Sequence, residues 1–125
     1  MTIGKVIKLE DAPHGDRLIV CGGRDYVDRE RVFMVLDELE PKEIAHGGAT
    51  GADTLALEWA KARNVPYKTY RALWQSEGRS AGPKRNRRMF ASFAPDGTVA
   101  FTGGDGTEDM ENVTIDGGAY LVRVR

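Results

Sequence analysis

Short apolar runs alternate with helically spaced apolar positions along most of the chain. The run at residues 18–21 is continuously apolar, as in a strand that is covered on both faces of a sheet. These runs predict strands at residues 18–21, 44–45, 67–70, 99–101 and 120–124. The spaced positions predict helices that begin near Asp28, Thr50, Pro83 and Glu108. Asp28 can cap the first helix, and Thr50 with Asp53 resembles a capping box at the second.

Regular alternation of strands and helices predicts an α/β fold. Because each pair of successive strands is joined through a helix, we expect a three-layer sandwich, in which a mostly parallel five-stranded sheet carries helices on both faces. We assign residues 17–125 to this domain and residues 1–16 to an N-terminal extension with an extended apolar segment. The polar, glycine-containing stretch at residues 71–82 predicts a loop.

Composition excludes several classes of protein. The formal net charge is −1, so no overall field attracts nucleic acid or acidic membranes, and any affinity for anions must be local. The lone Cys21 excludes an intramolecular disulfide, and two histidines without a Cys/His cluster predict no zinc or other metal site. No apolar run approaches the ~20 residues of a membrane span. Without a secretory signal pattern, we expect a cytoplasmic protein that does not contact membranes.

Glycine pairs follow three of the predicted strands. They occur at residues 22–23, 47–48 and 103–104, each just before a predicted helix or capped turn. Glycine lets backbone N–H groups approach a ligand closely, and a helix N-terminus adds unpaired donors and a positive dipole end. Because ligands of parallel sheets bind outside the carboxyl ends of the strands, these turns predict a crevice for phosphates or ribose phosphates.

The turn at residues 47–53 is the first candidate phosphate loop. Its Thr50 hydroxyl and the N–H groups of Gly51 and Ala52 can donate to phosphate oxygens. No lysine follows the last glycine, so the segment is not a Walker A loop, and its glycine spacing differs from the dinucleotide fingerprint. A capped glycine turn without a ligand is the structural alternative.

The other two glycine turns offer different chemistry. Arg24 can clamp a phosphate, Asp25 can accept from a ribose hydroxyl and Tyr26 can stack on a base. In the turn at residues 103–107, closely spaced glycines form a nest for phosphate, whereas Asp105 suits sugar hydroxyls. Either turn can also be purely structural, with Arg24 solvated.

The densest cluster of basic residues lies between the third predicted strand and the fourth. Its members are Arg79, Lys84, Arg85, Arg87 and Arg88. A solvated helix face explains such a cluster, and so does an anion site. Trp74 precedes the cluster in a polar loop, where it can stack on a base or anchor the loop. We assign Trp59 to the core, and we treat His46 as structural.

Four ordered motifs carry a resemblance to a known family. They are the segments at residues 17–26, 46–53, 81–89 and 103–110. Together they resemble the YspA-like family of the SLOG superfamily over about residues 17–125. The resemblance implies a Rossmann-like fold and binding of a nucleotide or nucleotide-derived ligand, in a sensor or ligand-binding role. Some relatives are phosphoribohydrolases, and others are DNA-processing proteins that load single strands.

The resemblance to phosphoribohydrolases is incomplete at the catalytic positions. Arg85 and Met89 match the arginine motif, although Asn86 replaces its lysine, and Met110 stands where those enzymes have their glutamate. A thioether cannot act as an acid or a base, so we favour binding over hydrolysis. The enzyme alternative is N-glycosidic cleavage of a nucleoside 5′-monophosphate, which would use Arg85 with Asp109 or Glu111.

We therefore predict a binding site for a nucleotide-derived small molecule, without a further cofactor. The ligand-binding residues are predicted to be Gly22, Gly23, Arg24, Asp25, Gly47, Gly48, Thr50, Gly51, Asp53, Arg85, Gly103, Gly104, Gly106 and Thr107. Binding of single-stranded nucleic acid is a further alternative, and the near-neutral charge disfavours it. The related phosphoribohydrolases commonly dimerise, so the resemblance leaves a homodimer open.

Overall fold

The computed structural model describes residues 2–125 and contains one fully parallel sheet. Its strands are β1 (Val6–Ile7), β2 (Arg17–Cys21), β3 (Glu43–His46), β4 (Tyr67–Thr69), β5 (Gly97–Phe101) and β6 (Tyr120–Val124). Its helices are α1 (Arg29–Leu39), α2 (Ala52–Arg63), α3 (Trp74–Glu77), α4 (Ala81–Phe93) and α5 (Asp105–Asp116). The order across the sheet is β1-β6-β5-β2-β3-β4.

The predicted α/β class is confirmed, and the architecture is Rossmann-like. Strand order reverses beside β2, which pairs with β3 on one side and with β5 on the other. The loops that follow β2 and β5 therefore diverge toward opposite faces of the sheet and leave a crevice between them.

The predicted number of five strands is wrong, because the sheet has six. The additional strand comes from the N-terminal extension, where Val6 and Ile7 pair in parallel with Leu121 and Val122 of β6. Leu121 also donates its N–H to the carbonyl of Lys5 at 2.9 Å. The extension thus covers an edge of the sheet that would otherwise expose unpaired backbone groups.

Side chains alternate between the two faces of the sheet. Leu18 and Val20 of β2 face the layer of α1 and α2, whereas Ile19 and Cys21 face α4 and α5. The first layer includes the buried Trp59, as predicted. The second layer contains Met89, Phe93 and Met110. Both faces are therefore covered, which explains why β2 is apolar from Leu18 to Cys21.

Two local predictions differ from the structure. The stretch at residues 71–82 is not simply a loop, because it contains α3 and a 3-10 turn at Gly78–Ser80. Thr50 does not cap α2: Gly51 holds the N-cap position without a side-chain bond, and the Thr50 hydroxyl donates to the carbonyl of Arg24 at 3.2 Å. By contrast, Asp28 caps α1 as predicted and accepts from the N–H of Arg31 at 3.0 Å.

Candidate functional site

The three glycine turns meet at the carboxyl edge of the sheet. The N–H of Gly23 donates to the carbonyl of Thr102 at 2.9 Å, which joins the β2–α1 loop to the β5–α5 loop. The N–H of Ala52 donates to the carbonyl of Gly23 at 3.1 Å, which joins the β3–α2 loop to the same turn. Direct backbone bonds thus connect turns that are far apart in the sequence.

Two glycines allow this close approach. Gly51 has a φ of 73°, and a Cβ there would strike the backbone of Gly23 and Arg24. At Gly103 a Cβ would collide with the Thr107 side chain and lie 2.6 Å from the nitrogen of Gly23. The absence of a side chain at these positions is therefore a requirement of loop packing.

A cavity of about 500 Å³ opens between the joined loops and the start of α4. This main cavity has an apolar floor formed by Cys21, Met89 and Met110, at the end of β2. Burial raises the pKa of the Cys21 thiol well above its ordinary value, so the thiol stays neutral and the floor uncharged. Polar groups of the loops and of α4 surround this floor, in the arrangement usual for small-molecule sites.

A second cavity of about 410 Å³ adjoins the first over the β3 and β4 ends. Arg24, Arg85 and Trp74 border both cavities, whereas Arg71 borders only the second. The guanidinium carbon of Arg24 lies 5.2 Å from the centre of the Trp74 ring, within the range of cation–π contact. Trp74 is 48% exposed, so a large aromatic surface stands open beside both cavities.

The arginines of the site have no acidic partner. Within residues 2–125, no carboxylate lies at ion-pairing distance from Arg24, Arg71, Arg79 or Arg85. The side chain of Arg85 is held by neutral groups: Nη1 donates to the carbonyl of Gly47 at 2.5 Å, and Nε donates to Oδ1 of Asn86 at 2.9 Å. Burial lowers the pKa of Arg85, but its guanidinium remains charged.

Asp53 is a buried carboxylate between the glycine loop and the main cavity. Its Oδ2 accepts from the N–H groups of Gly47 and Ala49, both at 3.1 Å. Burial raises the pKa of Asp53 to about 6, although these two bonds and the charges of Arg85 and Arg24 favour ionisation. Asp53 therefore shapes the loop from within α2.

His46 has a structural role in the same loop, as its position suggested. Its Nδ1 accepts from the N–H of Gly48 at 3.1 Å, so the proton of the neutral ring lies on Nε2, 3.0 Å from the Thr69 hydroxyl. Burial lowers the pKa of His46 to about 4, and the charges of Arg71 and Arg85 act in the same direction. The ring is therefore neutral at pH 7.

The first two turns of α5 and the middle of α4 meet at the far wall. Asn86 donates through Nδ2 to Oδ2 of Asp109 at 2.9 Å and to the carbonyl of Gly106 at 3.3 Å. Arg87 lies 3.6 Å from the same carboxylate. Asp109 thus borders the main cavity, whereas Glu111 points away and binds Arg123 at 3.0 Å.

The cavities bring together most of the predicted site residues. Those that line the main cavity are Gly22, Gly23, Arg24, Gly47, Asp53, Arg85, Gly104, Gly106 and Thr107. Gly48 and Thr50 border the second cavity, and Asp25, Gly51 and Gly103 border neither. The predicted stacking role of Tyr26 does not fit the structure, because its ring packs on Phe101 in the core with centroids 5.3 Å apart.

Sequence reasoning missed Arg71 as a site residue. Arg71 follows β4 almost directly, and the carboxyl end of that strand lies at the same edge of the sheet as the glycine turns. Its place directly after a parallel strand was the signal in the sequence that could have identified it.

Residues 2–125 contain no group of three or more acidic, histidine or cysteine side chains arranged to hold a metal ion. They also form no helix with the length and apolar character needed to cross a membrane.

Comparison with known proteins identifies the family. Residues 16–76 match the model of the YspA, cpYpsA-related SLOG family. Over 88 residues, the chain is 37% identical to the Gene 61 protein of Mycobacterium phage D29, and the match covers 62% of this chain and 70% of the phage protein. No solved structure matches the chain. The chain belongs to the YspA, cpYpsA-related SLOG family, as its motifs predicted.

Proposed function

We propose that the main cavity binds a nucleotide or a nucleotide-derived phosphate ligand, in a sensor or ligand-binding role. The observation that carries this proposal is the set of arginines without acidic partners, placed around the glycine loops above an apolar floor. In a chain with a net charge of −1, such a concentration of cationic groups is matched by an anionic ligand.

The phosphate would bind between Arg24, Arg85 and the start of α5. The first N–H groups of a helix have no partner within the helix. In α5 the N-cap residue is Gly104, which has no side chain to accept from them. These donors and the positive end of the helix dipole favour an anion. Thr107 adds a hydroxyl at the same wall of the cavity.

The rest of the ligand would occupy the neutral and acidic parts of the cavity. Asp53 leaves its Oδ1 free of the loop bonds, and Asp105 borders the same space, so both can accept from sugar hydroxyls. The base would lie on the floor formed by Cys21, Met89 and Met110, whose sulfur atoms suit contact with an aromatic ring.

Removal of the Arg24 charge tests the phosphate contact. We expect Arg24→Gln to weaken binding of nucleoside 5′-monophosphates about 10- to 100-fold, because it removes charge-assisted hydrogen bonds from an exposed side chain that the fold does not need. Calorimetric titration with monophosphates of each base measures the effect. Native mass spectrometry of protein purified from cells would identify a co-purified nucleotide.

Lys61→Gln is the matched control for Arg24→Gln. It removes an exposed cation at the end of α2 that borders neither cavity, and affinity should stay within about two-fold. Equal affinity for nucleosides and their monophosphates, or no binding of any nucleotide, would contradict the proposal.

N-glycosidic hydrolysis is a second candidate, because the Asp109 carboxylate borders the cavity while Glu111 does not. Asn86 and Arg87 hold this carboxylate, and Met110 beside it supplies no acid or base. We expect incubated monophosphates to remain intact when free base is assayed by chromatography. Release of base that disappears in Asp109→Asn would instead establish the enzyme, with Asp109 as its acid or base.

A further inference from the structure

The second cavity differs from the main cavity in charge. Its lining includes Arg24, Arg71 and Arg85 but no aspartate or glutamate, whereas the main cavity also contains Asp53, Asp105 and Asp109. The remaining members are small loop residues, the Thr50 hydroxyl and the Trp74 ring. The second cavity is thus a purely cationic space.

Arg71 gives the second cavity its own cationic group. Its Nη1 donates to the carbonyl of Gly48 at 3.3 Å, and its backbone carbonyl accepts from Nη2 of Arg88 at 3.0 Å. Both bonds fix its position, and neither brings a carboxylate to its guanidinium. The missing side chain of Gly48 leaves room for it, since a Cβ there would lie 3.0 Å from Nη1 of Arg71. The glycine at position 48 therefore allows the Arg71 side chain to pack against the loop.

Two guanidinium groups connect the cavities. Arg24 and Arg85 border both, so an anionic group in either cavity can contact the same pair of arginines. Adjacent phosphates of one ligand would share cations in this way. The charge of Arg71 would then act on the outer phosphate only, because Arg71 does not border the main cavity.

We propose that the second cavity binds a second phosphate of the same ligand, so that the ligand carries a pyrophosphate group. This inference rests on the proposed nucleotide-binding function. The pyrophosphate can belong to a free nucleoside diphosphate or can link the nucleoside to a second sugar. The hydroxyl of Thr50 and the exposed face of Trp74 border the space in which such a sugar would lie.

The test compares ligands that differ by one phosphate. Calorimetry would measure wild-type affinity for AMP and ADP, for the corresponding guanosine, uridine and cytidine compounds, and for ADP-glucose and UDP-glucose. We expect a diphosphate to bind at least about 10-fold more tightly than its monophosphate. Arg71→Gln should abolish that advantage and leave monophosphate affinity within about two-fold.

Lys68→Gln is the control, since it removes an exposed cation from β4 that borders neither cavity. Tighter binding of the glucose conjugates than of the free diphosphates would assign the pyrophosphate to a linkage, and the reverse would assign it to a free terminus. Equal affinities for mono- and diphosphates, or an equal loss for both in Arg71→Gln, would overturn the inference.

Pyrophosphate without a nucleoside separates this inference from the proposed function. Arg71-dependent binding of pyrophosphate, together with no binding of any nucleotide, would support the cationic site and refute the nucleotide assignment. A different result would be monophosphate binding that depends on Arg24 but not on Arg71, with diphosphates binding no more tightly. That result would support the nucleotide assignment and refute the second phosphate site. If neither pyrophosphate nor any nucleotide binds, both proposals fail.

Discussion

Gly51→Ala is expected to lower the free energy of unfolding by about 3 to 5 kcal/mol. Gly51 has a φ of 73° and a ψ of −127°, a conformation that residues with a side chain rarely adopt. The added methyl would also meet the backbone of Gly23 and Arg24, which a change of rotamer cannot relieve. Because a domain is stable by only about 5–15 kcal/mol, chemical denaturation should show a large shift of the midpoint.

Gly106→Ala is the matched control for this substitution. Gly106 lies in the first turn of α5, where a Cβ would meet no atom within 4 Å. Alanine favours a helix more than glycine does, so stability should be unchanged or rise by up to about 1 kcal/mol. A similar loss of stability in both variants would mean that the packing of Gly51 against the β2–α1 loop is not what requires glycine.

The main strands and helices could be predicted because burial marks them in the sequence. Leu18 and Ile19 face opposite layers, and both are buried, so β2 is apolar at successive positions. Strand β1 gives a weaker signal: the sequence predicts an extended apolar segment in the N-terminal extension, but the strand has only two residues at an edge, and Val6 is 50% exposed. Helix α3 has four residues and buries none of them, so it leaves no periodic pattern.

The meeting of the glycine turns could also be predicted, because carboxyl ends of parallel strands share one edge of a sheet. The roles of individual side chains could not. Asp53 turns back to the N–H groups of Gly47 and Ala49 across a turn in which Gly51 has a positive φ, a contact that sequence spacing does not reveal. Tyr26 packs into the core because Phe101 lies beside it on β5, a neighbour that sequence spacing does not reveal.

Two buried groups near the site should give opposite pH dependences of stability. His46 has a pKa of about 4 when folded and 6.5 when unfolded, so the unfolded chain binds the proton first and stability falls as pH drops from 6.5 to 4. Asp53 has a pKa of about 6 when folded and 3.8 when unfolded, so its contribution is present below pH 3.8 and is lost as pH rises to 6. Each effect amounts to ~3 kcal/mol, and the two nearly cancel.

Single substitutions should uncover each slope. In Asp53→Asn only the histidine remains, and the free energy of unfolding should rise by ~3 kcal/mol between pH 4 and 6.5 relative to the wild type. In His46→Gln it should fall by a similar amount over the same interval. Urea denaturation at several pH values measures both. If the free energy of unfolding varies with pH in both variants as it does in the wild type, neither group changes its pKa on folding. The folded loop would then accommodate protonated His46 and ionised Asp53 without loss of stability.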